Sequence, residues 1–484
     1  MNTSRSCAAP ITDLSAHALS VAIHHKQFSC REVMLAYLQR ITAANPRFNA
    51  IVSLQDGDQL LAQADAHDAQ LARGQSRGWM HGMPQAIKDL ADVAGIPTSM
   101  GSPLMRDFVP EQDCLMVQRM KAAGCIVIGK TNTPEFGLGS HTFNEVFGVT
   151  RNAYDPTRSA GGSSGGATVA LATHMLPVAD GSDFMGSLRN PAGWNNVFGL
   201  RPSQGRVPMW PAQDAYISQL GTQGPMGRTV QDVALLLNTQ AGYDSRAPLS
   251  IADNVDFTQA LGSLDCRRLK IGWLGDLNGY LAMEPGILAV CEQALQRLEG
   301  LGCHIAPTAL GFPPAQVWQA WLVWRQALVA ARIAPYLVTP QNRALIKPEA
   351  RWEHAQATEL SGSALLAASA ARTAFYTHLL SLFARYDYLA LPSAQVWPFA
   401  ANLRWPEQIN GVQMDTYHRW MEVTLYATFA GLPCISVPAG FDPRGLPMGL
   451  QIIGRPQADL DVLRLAYAYE QCAQAVLGRK PNLA

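Results

Sequence analysis

The chain reads as an α/β protein. From Gly82 to about Leu237, short apolar runs alternate with amphipathic segments, which argues for interleaved strands and helices rather than separate all-α and all-β modules. Hydrophobic types make up 48% of the 484 residues and charged types 15%, enough apolar material for a large core. A chain of this length can form several domains or one large α/β domain. No internal repeat and no low-complexity linker marks a boundary, so one domain over residues 1–484 is expected.

The elements follow in order. The first 50 residues predict two helices. Ser29-Cys30-Arg31-Glu32 has the form of a capping box ahead of the apolar positions Val33, Tyr37 and Ile41. Asn45-Pro46 is expected to stop that helix, because the residue before proline is driven out of the helical region. Ile51 to Leu54 reads as a short strand, and Asp56 to Arg73 as an alanine-rich helix. Met116 to Ala123 predicts a helix, and the apolar run Cys125 to Gly129 a buried strand. Ala167 to Thr173 predicts a small-residue helix, and Thr229 with Asp232 marks another helix start. Between Gly300 and Gln413 the texture changes. Trp318, Trp321 and Trp324 recur every third residue, followed by Pro335, Pro340 and Pro348; ordinary core and a substrate-facing lid both fit this stripe. Tyr388 to Pro392, Pro433 to Pro438 and Met448 to Ile453 read as strands.

Composition narrows the partners. Basic and acidic residues balance at 37 each, so no electrostatic footprint for nucleic acid is expected. The nine cysteines are odd in number, widely spaced and free of any Cys-x-x-Cys, which predicts reduced structural thiols rather than a disulfide scaffold or zinc site. The first residues lack the apolar region of a secretory signal, and no apolar stretch reaches the ~18 residues of a membrane span. A cytoplasmic protein that does not engage a membrane is expected. No H-E-x-x-H and no carboxylate cluster occurs, so neither metal nor cofactor is expected. The expected partner is a small, uncharged or partly apolar molecule.

Two glycine-rich segments carry the chemistry: Ala160-Gly161-Gly162-Ser163-Ser164-Gly165-Gly166 and Gly181-Ser182-Asp183-Phe184-Met185-Gly186-Ser187-Leu188-Arg189. Ser163 and Ser187 lie 24 positions apart, and Lys88 lies 75 positions before the first. Glycine permits close backbone approach and unusual dihedrals. A serine set there can act as a nucleophile, with surrounding N–H groups free to bind an oxyanion. This is a candidate acyl-transfer site with lysine as the base. Ammonium cannot accept a proton, so Lys88 has to be neutral, and burial is what lowers a lysine pKa from its reference near ~10.4.

The order of motifs along the chain carries a resemblance. Gly82 to Ser102, Gly129 to Glu135 and both serine segments come first, then Gly199-Leu200-Arg201-Pro202 and Gly224-Pro225-Met226. Gly431-Leu432-Pro433 and Gly445 to Gln451 follow. This set resembles the amidase signature hydrolases over most of the chain, with a signature core about 80–237 and a variable, substrate-facing region about 300–430. The resemblance implies a twisted, mixed, mostly parallel sheet covered by helices on both faces. It implies a Ser–cis-Ser–Lys triad in which Ser187 is the nucleophile, Ser163 the bridging serine and Lys88 the base, with a cis Gly162–Ser163 bond. The oxyanion is then expected on the N–H groups of Phe184, Met185, Gly186 and Ser187. Ser164, Asp183 and Arg189 are expected to brace the site, with Arg189 on a substrate carboxylate as the other reading.

The chain departs from the family at Met185, where a glycine is usual. That side chain narrows the acyl pocket or turns into the core; a pocket effect is the expectation. Phe136, Leu138, His141, Trp194 within Asn190 to Asn195, Tyr417, Trp420, Met421 and Tyr426 are the pocket candidates, and they favour an apolar or aromatic acyl or amine group. His141 is not needed as a base. The resemblance thus implies metal-free hydrolysis of a carbon–nitrogen bond in a small amide, an aryl or aliphatic amide first, with anilides, esters and carbamates within reach of the same acyl-enzyme. A homodimer is compatible with the family. The rival readings are the glutaminase subunit of a tRNA-dependent amidotransferase and a non-catalytic binding protein on the same scaffold.

Overall fold

The computed structural model of the protein describes residues 10–483; the N-terminal stretch considered as a signal, with Cys7, lies outside the described residues. The main sheet has eight strands. Across it they run His304–Pro307, Lys270–Trp273, Tyr388–Pro392, Pro447–Ile453, Cys434–Phe441, Phe198–Arg201, Thr222–Gly227 and Val178–Asp183. A smaller sheet sets Ile126–Thr131 between Ile51–Val52 and Pro84–Lys88.

The large sheet is mixed, as expected, but mostly parallel pairing is not what it shows. Only the two pairings at the end built from 304–307, 270–273 and 388–392 are parallel. The other five are antiparallel. The reason is local in one case: Cys434–Phe441 and Pro447–Ile453 are joined by a short turn, where Leu446 N–H donates to Asp442 Oδ1 at 2.9 Å. A short connection forces antiparallel pairing, whereas parallel neighbours need a long crossover. The smaller sheet keeps one parallel pair, Pro84–Lys88 on Ile126–Thr131.

The capping box at Ser29 is present in both directions, with Glu32 N–H on Ser29 Oγ at 3.0 Å and Ser29 N–H on Glu32 Oε2 at 2.8 Å. The helix it opens does not stop at Asn45-Pro46; it runs Cys30–Phe48. Proline lacks one N–H and is poorly tolerated in a helix interior, but here it falls in the last turn. Asn49 in the left-handed conformation closes the helix by donating to Asn45 O at 2.7 Å. The Asn45 side chain then binds Ala50 and Ile51 N–H at 2.9 and 2.8 Å.

Trp318, Trp321 and Trp324 lie on the helix Pro314–Ile333 and are buried. They belong to the core, and Trp321 also touches Phe184, their ring centres 5.6 Å apart. Apolar residues gather into two large cores. One holds Val33, Ile41, Ile87, Ile128 and Val178. The other holds Trp318, Leu391, Ile435 and Leu450. All eight cysteines among the described residues are free, and all but Cys472 are buried. Among the described residues, no helix is long and apolar enough to cross a membrane.

Candidate active site

Three segments converge. The strand Pro84–Lys88 is buried throughout and ends on Lys88. Residues 160–164 lead into the helix Gly165–Ala172. The strand Val178–Asp183 runs through residues 184–188 into the helix Arg189–Trp194. Small residues make this convergence possible. A Cβ on Gly166 would lie 2.4 Å from Asn132 N, so only glycine lets the helix start sit against the end of the Ile126–Thr131 strand. Gly186 has φ +87°, and a Cβ there would lie 2.5 Å from Thr424 Oγ1; this turn requires glycine on both counts.

Lys88 is buried, and its Nζ is surrounded by oxygen. Ser163 Oγ and Ser164 Oγ each lie at 2.8 Å, Ser182 Oγ at 3.0 Å and Ser182 O at 3.3 Å. Burial pushes the amine down from its ordinary value near 10.5 to about 7. Asp180 and Asp183 oppose that shift, and the Arg332 guanidinium adds to it. Asp180 Oδ2 also accepts from Lys88 N–H at 3.1 Å, which fixes the strand end. The Gly162–Ser163 peptide is cis. Ser163 and Ser187 are both buried.

Ser187 stands on a turn clamped from below. The Asp183 carboxylate accepts from Gly186 N–H at 2.8 Å and Leu188 N–H at 3.2 Å, the residues on either side of the serine. It also accepts from Arg189 Nε at 2.9 Å, Arg189 Nη2 at 3.0 Å and Arg201 Nη1 at 3.3 Å. Burial alone would raise the Asp183 pKa, but Arg189 and Arg201 outweigh it and hold the carboxyl far below the usual range. The Gly186 amide is therefore occupied, which corrects its expected place among the oxyanion donors. Arg189 spends its remaining donors on Gln451 Oε1 at 2.5 Å, Thr428 Oγ1 at 2.8 Å and Cys434 Sγ at 4.0 Å. No N–H of this guanidinium is left over, so the substrate-carboxylate reading of Arg189 falls away.

The pocket candidates divide. Phe136 and Leu138 pack with Val329, Ile333, Leu337, Ile346 and Ala350, and Phe184 joins this cluster from the turn before Ser187. The same segment passes over the other serine: a Cβ on Gly137 would lie 3.6 Å from Ser163 Oγ. Trp194 and Trp420 instead stack on each other with ring centres 5.9 Å apart, and both contact Phe399. Both are buried in the core, and Trp420 also borders a small cavity with Leu138, His141 and Tyr417. His141 is held by Ser159 Oγ at 2.7 Å and Ala401 O at 3.0 Å. Burial lowers its pKa to about 4, so it stays neutral and structural. Met421 and Tyr426 are also core. Met185 is buried, its Sδ 3.9 Å from Arg325 Nη1 and its carbonyl accepting from Thr424 Oγ1 at 3.0 Å. Its side chain turns into the core against the variable-region helix, not into open space. Tyr417 binds the buried Arg325–Glu353 pair at 2.6 and 2.8 Å.

A sequence profile of the family Amidase matches residues 32–463. The chain belongs to the amidase family. Its curated relatives include a glutamyl-tRNA(Gln) amidotransferase subunit from Moorella thermoacetica, 34% identical over 97% of this chain and 98% of that one. The same subunit from Thermosynechococcus vestitus is 33% identical over 92% and 95%. Among solved structures, a bacterial aryl acylamidase of the amidase signature family superposes with a TM-score of 0.91 at 31% identity, covering 98% of this chain and 100% of that one. A peptide amidase follows at 0.80 and 27%, over 98% and 100%. This amidase is accordingly an enzyme that hydrolyses amide carbon–nitrogen bonds.

Several groups in the site were not among the residues predicted from sequence. Ser182 contributes two oxygens to Lys88, and Asp180 anchors the lysine backbone. Arg201 doubles the positive charge on Asp183, and Gln451 ties Arg189 to Pro392 O and Val423 O at 2.7 and 3.2 Å. Arg201 and Gln451 both sit in motifs that carried the resemblance, so their signal was present. Arg325 carried none, since nothing in its local sequence marks it.

Proposed function

We propose that this amidase hydrolyses a small apolar or aryl amide through a seryl acyl-enzyme, with Ser187 as nucleophile, Ser163 as proton relay and Lys88 as base. The observation that carries the reading is the buried Lys88 amine, with a pKa of about 7, at 2.8 Å from the Ser163 hydroxyl. A neutral amine has two N–H donors and one lone pair. Ser182 O can only accept, so it takes one N–H; of the surrounding hydroxyls, one then donates to the lone pair. If that hydroxyl is Ser163, its oxygen is free to receive the proton of Ser187.

In the first step Ser187 Oγ bonds to the amide carbon, its proton passes to Ser163, and the Ser163 proton passes to Lys88. The oxyanion faces the amides of Phe184, Met185 and Ser187, which remain from the expected set once Gly186 is committed to Asp183. Collapse breaks the carbon–nitrogen bond, and the lysine proton returns through Ser163 to the leaving nitrogen. Water then loses a proton to the same relay and attacks the ester carbon, the bond from that carbon to Ser187 Oγ breaks, the relay returns its proton to Ser187 Oγ, and the acid leaves. The roles of Ser164, Asp183 and Arg189 are to hold this geometry.

The apolar cluster of Phe136, Leu138, Phe184, Val329 and Ile333, beside the segment that crosses Ser163, supports an apolar or aryl group on the substrate, as does the similarity to an aryl acylamidase. A panel of p-nitroanilides, primary amides and aryl carbamates, read by released amine or ammonia, tests the reading. Turnover of anilides, stoichiometric labelling of Ser187 by a phosphonate and loss of at least ~10³ in kcat for Ser187→Ala are expected. Full turnover by Ser187→Ala would overturn it. The 33–34% identity to amidotransferase subunits favours a second reading, a glutaminase that works with a partner protein. Ammonia released from glutamine alone, together with co-purification of that second protein, would select it.

A further inference from the structure

Arg332 stands out on the helix Pro314–Ile333. At 3.6 residues per turn, seven positions bring the chain back to within about 20° of the same face, so Arg332 shares its face with Arg325. That face meets the nucleophile turn, because Arg325 touches Met185 Sδ at 3.9 Å and lies 5.7 Å from the centre of the Phe184 ring. Val329 and Ile333, which flank Arg332 on the helix, pack with Phe136 and Leu138, the segment that crosses Ser163. Arg332 therefore leaves the helix between two contacts that both border the serines. One turn on, Tyr336 stacks near Phe136 with ring centres 5.2 Å apart.

The two arginines differ in their partners. Arg325 is paired with Glu353 at 2.5 Å and with the Tyr417 hydroxyl. Among the described residues, the Arg332 side chain has no ion pair and no hydrogen bond, and it is accessible to solvent. Despite that exposure, neighbouring protein lowers its pKa from the ordinary guanidinium value. A guanidinium with five donors and no acceptor thus stands beside the apolar cluster of Phe136, Leu138, Val329 and Ile333, next to the segment that crosses Ser163.

We propose that Arg332 receives an anionic group, a carboxylate, at the end of the substrate remote from the scissile bond. The inference rests on the acyl-enzyme reading and adds to it: the preferred amide has an apolar body with a negative charge at its far end. Guanidinium matches a carboxylate through two parallel N–H···O bonds.

The test uses pairs of equal length. On the acyl side the mono-p-nitroanilide of adipic acid is compared with hexanoyl p-nitroanilide. On the amine side 4-acetamidobenzoate is compared with 4-methylacetanilide. Assays run at pH 9, where Lys88 is largely neutral, so a change in its ionisation does not distort the comparison. The quantity read is the ratio of kcat/KM, anionic over neutral. Wild type is expected to give a ratio of about 10 or more in one pair, the usual worth of a charge-assisted contact. Arg332→Gln should bring that ratio near one, Arg332→Glu should invert it and Arg332→Lys should restore part of it. A ratio near one in wild type for both pairs, or a preference that survives Arg332→Gln, overturns the proposal. Neutral anilides cleaved without discrimination would sink this inference and leave the acyl-enzyme reading standing; no Ser187-dependent turnover of any substrate would sink both.

Discussion

At the residue scale, Lys88, the proposed base, is expected to decide how the site responds to pH. Its amine must be neutral to accept a proton, and burial sets its pKa at about 7. Under chemistry-limited conditions kcat is expected to rise through about pH 7 and level off above it; a rate flat from pH 5 to 9 would contradict the assignment. Stability follows the same ionisation. Between about pH 7 and the ordinary lysine value near 10.5, the unfolded chain holds a proton here that the folded chain has released. Stability attributable to this residue therefore rises with pH across that window, and the penalty is fullest below it. Lys88→Met should abolish turnover and flatten that slope in urea titrations at pH 7, 8 and 9. Asp183 has the opposite character. Two guanidiniums depress its pKa, so its contribution is present above the normal carboxyl range and lost as acid protonates it.

At the element scale, the strand–turn–helix around Ser187 depends on what lies beneath it. Asp183 ties down the amides before and after the serine, and Thr424 closes over Gly186. Gly186→Ala meets both a left-handed backbone and a contact 2.5 Å from Thr424 Oγ1 with the Thr424 carbons directly behind it. A loss of roughly 2–4 kcal/mol in chemical denaturation is expected, with kcat down by about 10² because the proposed nucleophile, Ser187, moves. Unchanged kcat in a folded Gly186→Ala variant would mean that the turn does not position the nucleophile. The second element is the helix Pro314–Ile333, which sets Trp321 and Arg325 against Phe184 and Met185. Met185 replaces the usual glycine here, and its side chain fills space against that helix.

At the scale of the whole molecule, the antiparallel pairings place Val178–Asp183 at one edge of the large sheet, next to the small sheet that carries Lys88. Distant segments meet there. With all eight described cysteines free, none of this is held by a disulfide among the described residues. The thermal midpoint should not fall on adding dithiothreitol; a fall of several degrees would show a covalent bridge. Short strands, capped helices and the glycine-rich turns were legible because each is set by neighbours in sequence: Ser29 with Glu32, Thr229 with Asp232, Ser163 within glycine. The strand order was not, since pairing joins residues such as Cys434 and Arg201 that no local pattern links. Trp194 and Phe136 show the same limit on the site. Both are large aromatics near a motif, yet one stacks in the core on Trp420 and the other packs beside the segment over Ser163.

By itself, then, the sequence determined which chemical groups are present and in what order: a lysine, two serines in glycine and an acid–arginine pair. Local backbone freedom and side-chain chemistry are properties of a few adjacent residues. Only the tertiary structure decided that the amine is dehydrated, that the Gly186 amide is spent on Asp183, and that Arg332 stands without a side-chain partner among the described residues. Desolvation and contact depend on everything packed around a group, and those neighbours come from separate segments of the chain, as Ser163 and Ser182 lie 75 and 94 positions from Lys88.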